Sequence, residues 1–154
     1  MRKRFVAGVV LALSATLVVS ALAFGASAKS KQPVKFVAAL NVGQETGVVK
    51  STQMGASGHF SATLSGTSLT YTLTFSHLSG PAIAAHIHGP AARHVSAGVL
   101  VPLCGPTCTS PVKNTVTLSQ DQIDKMEAGQ TYVNVHTAKN PNGEIRGQVT
   151  AVHS

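Results

Sequence analysis

Three histidines carry the clearest chemical signal in the chain. His86 and His88 alternate within Ala84-Ala85-His86-Ile87-His88-Gly89-Pro90, and His136 lies within Tyr132-Val133-Asn134-Val135-His136-Thr137. Alternate residues of a strand face the same side, so His86 and His88 would stand together, roughly 6.6 Å apart along the strand. Two imidazoles at that spacing suit one metal ion or one polar cluster. A third from His136 would complete a three-histidine set that holds zinc with water in the fourth position, and imidazole equally suits copper. Glu144 is a candidate to orient His136 from behind as an acceptor. The other reading needs no metal. In it His86, His88, His136, Asn134, Glu144 and Arg146 form a hydrogen-bonded polar network, and Arg146 clamps Glu144 or a loop carbonyl.

These residues must be positioned by strands. Apolar and polar residues alternate over 34–40, 59–64 and 69–75, most clearly in Leu69-Thr70-Tyr71-Thr72-Leu73-Thr74-Phe75. Ser65-Gly66-Thr67 turns the chain between the second and third runs, which reads as a hairpin. Further strands are expected around His86 and His88, over 98–103, 114–118, 131–137 and 143–152. Pro102 marks the 98–103 strand as an edge or an end. The one helix signal is Ser119-Gln120-Asp121-Gln122, a capping box, with Ile123 and Met126 at helical spacing and Gly129 as its stop. Eight or so short strands with regular turns imply an antiparallel sandwich or barrel with one short helix.

Register follows from the same alternation. If Thr137 pairs with Gly143, Tyr132 faces Gln148, Asn134 faces Arg146 and His136 faces Glu144, while Val133 and Val135 meet Gly147 and Ile145. One face is then apolar and the other polar. By the same rule Ile83, Ala85 and Ile87 should face the core, with His86 and His88 turned away.

The first residues point to export. Arg2, Lys3 and Arg4 precede an uncharged apolar run from 5 to 24, and Ala26-Ser27-Ala28 has the form of a cleavage site. Residues 1–28 read as a signal peptide, 29–33 as a flexible tether and 34–152 as one domain. An uncleaved anchor is the alternative, because about 20 apolar residues can span a bilayer. The small residues at the cut favour cleavage, a secreted or extracytoplasmic protein and no stable membrane insertion. Cleavage leaves nine of the 12 Lys and Arg against 5 Asp and Glu. These cations are scattered rather than set in a stripe with aromatics, which excludes nucleic acid as the expected partner. The expected partner is an extracellular protein or polymer. In an exported chain, Cys104 and Cys108 read as a disulfide across a small loop.

Enzyme chemistry has little to stand on. There is no G-x-S-x-G, and the five acids Glu45, Asp121, Asp124, Glu127 and Glu144 make no glycosidase pair. His59, His77, His94 and His153 read as solvated. The residues therefore favour a non-enzymatic binding or structural module, with a copper or zinc protein as the alternative.

Three stretches carry a family likeness: His86-Ile87-His88-Gly89-Pro90-Ala91, Tyr132-Val133-Asn134-Val135-His136-Thr137 and Asn140-Pro141-Asn142-Gly143-Glu144-Ile145-Arg146-Gly147-Gln148. In order and spacing they resemble the CHRD (chordin) domain, of the kind found in bacterial exported proteins, over about 36–151. The resemblance implies an immunoglobulin-like or Cu,Zn-superoxide-dismutase-like β-sandwich and no established reaction. A dismutase-like copper site would need a fourth imidazole and an aspartate for which this chain has no matching motif. The segment 44–49 stands where the family often carries a proline-rich stretch.

Overall fold

The computed structural model describes residues 32–50 and 54–152. The expected signal segment and most of the tether lie outside the described residues. The chain forms strands β1 (Val34–Asn41), β2 (Ser57–Ser65), β3 (Ser68–Ser76), β4 (Ala82–His88), β5 (Val99–Cys104) and β6 (Val112–Thr117). Helix α1 (Gln120–Glu127) follows, then β7 (Tyr132–Thr137), β8 (Ile145–Gln148) and β9 (Thr150–Val152). A single 3-10 turn, Val42–Gln44, leaves β1. The strands pair antiparallel in the order β5-β4-β7-β8-β1-β2-β3-β6, and β9 pairs with β1. The described residues are all-β with one short helix.

The apolar sides of the strands meet in one core. Phe36, Leu40, Phe60, Leu69, Tyr71 and Leu73 come from one half of the sheet, and Ile87, Val133, Val135 and Ile145 from the other. Each such side chain contributes roughly 1.5–3 kcal/mol by leaving water. The sheet curls back on itself, so the Tyr71 hydroxyl in β3 donates to the Leu103 carbonyl in β5 at 2.6 Å. Helix α1 adds Ile123 and Met126 to the core. The Ser119 hydroxyl accepts from Gln122 N, and the Gln122 side chain accepts from Ser119 N, which is the expected capping box.

The hairpin of β2 and β3 forms with Leu64 opposite Leu69. β5, which contains Pro102, is an edge strand, and Cys104 and Cys108 are bridged beside it. The final run, 143–152, is two strands rather than one. β8 runs beside β7, and after Val149 the chain shifts so that β9 runs beside β1.

Candidate functional site

The deduced register of the last strands holds for four pairs. Tyr132 pairs with Gln148, Val133 with Gly147, Asn134 with Arg146 and Val135 with Ile145. It ends there: Glu144 N donates to the Val135 carbonyl and Thr137 N to the Asn140 carbonyl, so the expected pairs His136 with Glu144 and Thr137 with Gly143 do not form. β4 lies on the other side of β7, with His86 opposite Asn134 and His88 opposite Tyr132. His136, opposite Ala84, is therefore two pairs along from His86 and on the same face, and the three rings meet. Each can offer a nitrogen lying within 4.8 Å of those of the other two.

Ile83 departs from expectation. It is 38 % exposed, while Ala82 is buried in its place. The pairing of β4 with β7 slips between Ala82 and Ala84, and such an irregularity re-aims the side chain beside it. Ile83 consequently faces the same cavity as the histidines.

Hydrogen bonds fix two of the ring tautomers. His88 Nδ1 lies 3.1 Å from the Ala97 carbonyl, and His136 Nδ1 lies 3.0 Å from the Pro141 carbonyl. A carbonyl only accepts, so both Nδ1 atoms carry the proton and both Nε2 atoms keep a lone pair. His136 Nε2 faces His86 Nδ1 at 3.2 Å. His88 Nε2 is buried and has no partner among the described residues. Burial lowers the pKa of all three rings. His136 falls to about 4, because burial and the neighbouring His86 charge outweigh its bond to Pro141. The trio is neutral at pH 7, the form in which imidazole ligates metals.

The polar face of β7 and β8 is not bare. Every residue of both strands is buried, because two loops roof them. In the loop after β1, the Gln44 side chain accepts from Gln148 N, and Glu45 accepts from Asn134 Nδ2 at 3.1 and 3.2 Å. In the loop after β4, the carbonyls of Ala91 and Ala92 accept from Gln148 Nε2 and Arg146 Nη2. Thr46 Oγ1 and Ser96 Oγ, 2.7 Å apart, join the two loops. The ring of Tyr132 stacks on His88 at 4.9 Å and lies under the Arg146 guanidinium at 3.5 Å.

Glu144 does not take the expected place behind His136; the Pro141 carbonyl does. The Glu144 carboxylate accepts from Ser79 N, Ser79 Oγ, Thr137 Oγ1 and Asn140 Nδ2. Burial pushes its pKa up, and these bonds more than reverse that, so it lies below the ordinary carboxylate value. Asn140 also exchanges hydrogen bonds with both Lys50 N and Lys50 O. Glu144 and Asn140 thus tie the entry to β4, the turn carrying Pro141 and the loop carrying Glu45 into one knot. Arg146 engages a loop carbonyl, one of its two expected partners.

Glu45 was not legible as a site residue, because it sits in an aperiodic polar loop. Burial raises its pKa to about 7, against the opposing effects of Asn134 and Arg146. His59, His77 and His94 are exposed, as expected.

The curled antiparallel sheet and the histidine pocket under its loops define a β-sandwich-like, all-β domain with one covered polar face. The model of the CHRD domain matches residues 36–149, and the chain belongs to the CHRD domain family. No curated protein and no solved structure matches the chain.

Proposed function

We propose that this protein is an exported CHRD binding module that holds one copper or zinc ion on His86, His88 and His136. The observation that carries the reading is the convergence of the three rings around a buried His88 Nε2 lone pair without a partner. An unsatisfied buried polar atom is costly, and a metal would satisfy it. The carbonyls of Ala97 and Pro141 stand where outer-shell acceptors orient metal-bound imidazoles. His86 is the adaptable member: moving its proton to Nε2 frees Nδ1 for the metal. Export rests on the apolar segment and cleavage site of residues 1–28. Among the described residues no helix is long and apolar enough to cross a membrane.

The test is elemental analysis of the mature domain, purified without chelator or histidine tag and then challenged with copper and zinc. Near-stoichiometric metal that is lost in His88→Ala is the expected result. Equal metal content in variant and wild type would sink the metal reading. The 3.2 Å contact of His86 with His136 favours a second reading, a self-contained structural network. On that reading His136→Ala lowers the melting temperature and leaves metal content unchanged.

A further inference from the structure

We infer that the bound metal takes an exogenous organic monoanion with a small apolar body, an alkyl or aryl carboxylate, in the cavity above the three histidines. This inference rests on the metal reading and names the ligand class of that same site.

Three protein donors leave one position of a tetrahedral metal for an outside ligand. All three histidines line a cavity of about 620 Å³, within the range that takes small organic ligands, and an outside ligand would reach the metal from there. The donors are neutral imidazoles, so a divalent ion would keep its full charge there, and an anion is the complementary ligand. Glu45 is the one acid that lines the cavity, and both its oxygens are engaged by Asn134.

The cavity walls call for an apolar body. Val48 is 92 % exposed, Val99 57 % and Ile83 38 %, and all three line this cavity. They come from three separate segments: the loop after β1, the start of β5 and the irregular stretch of β4. Ile83 is the most telling, because alternation alone would send it to the core. Water-exposed aliphatic side chains gathered around one polar floor are the make-up of a ligand pocket.

The test is calorimetric titration of benzoate, and of acetate as the version without a body, into protein loaded with whichever of copper and zinc it retains. Benzoate should bind the loaded protein and not the metal-free protein, with acetate weaker by roughly tenfold. The double variant Ile83→Ser, Val99→Ser should weaken benzoate by roughly tenfold and leave acetate's affinity within about twofold. Glu45→Gln, which removes the competing charge, should strengthen both by roughly threefold. Metal content is measured in every variant. Stoichiometric metal with no benzoate binding overturns this inference and leaves the metal reading standing. Equal benzoate and acetate affinities remove the apolar body from it. Absence of retained metal overturns both.

Discussion

Strands β2 and β3 and strands β7 and β8 obey the same two-residue alternation, yet only the first pair leaves one face to water. In β3 the buried Leu69, Tyr71 and Leu73 alternate with Thr70, Thr72 and Thr74, whose outer face meets solvent. In β7 the buried Val133 and Val135 alternate with Tyr132, Asn134 and His136, and these are buried as well. The threonines find partners in water or, as with Thr70 and Thr115, in each other. The polar groups of β7 and β8 must find theirs in the roof, and Glu45, Ala92, Ala97 and Pro141 supply them. A covered polar face has to be satisfied group by group. In this half the atoms left unsatisfied include His88 Nε2, and that is where binding is proposed. The loops, not the strands, turned one ordinary sheet face into a pocket.

The two halves should differ most in what a glycine substitution costs. Gly143 sits at φ +127, where a Cβ would stand 2.4 Å from Asn134 Oδ1, whereas Gly66, at φ +59, faces open space. Gly143→Ala should cost about 2–4 kcal/mol, from combined backbone strain and overpacking. Gly66→Ala should cost about 1 kcal/mol, from backbone strain alone. Urea unfolding of the two variants measures the gap, and equal losses would erase the distinction between the halves.

Next comes Glu144→Gln, expected to lose about 2 kcal/mol because a buried charged acceptor is replaced by an amide. The same group predicts an acid limb. Its folded pKa lies below the ordinary 4.5, so its stabilisation is complete above that value and is lost as pH falls through the lower folded one. Thermal unfolding from neutral to acid pH should show that limb in the wild type and a flatter one in the variant.

Glu45 should give an effect of opposite sign. Its pKa rises from 4.5 to about 7 in the fold, so its contribution declines as pH rises across that window. In metal-free Glu45→Gln the decline should shrink, read as a smaller difference in melting temperature between pH 4.5 and about 7. An unchanged difference would mean that the roof leaves Glu45 in water.

The smallest effect belongs to the solvated face. Thr63→Ala on β2 should stay within about 0.5 kcal/mol of wild type, because Thr63 is exposed and none of the described residues roofs it. A larger loss there would mean that this face, too, is covered by something.

Much of this was readable from residue order, because the causes are local. Alternation placed His86 and His88 on one side of one strand. Matching apolar residues across a short turn set Tyr132 against Gln148 and Asn134 against Arg146. Ser119 and Gln122 announced the helix, and the spacing of Cys104 and Cys108 announced their bridge. Other features depended on segments far apart in the chain. That β4 lies against β7, bringing His136 to His86, is a pairing across some fifty residues that no local pattern encodes. Ile83 reached the cavity through a slip in that same pairing. Glu144 left His136 for Ser79 because the turn before β4 folds against it. Glu45 became part of the pocket because an aperiodic loop found Asn134 to cap. Side-chain direction within a strand is dictated by backbone geometry and can be read from the sequence. Which polar groups are shut away from water depends on where distant loops come to rest, and only the tertiary structure decided that.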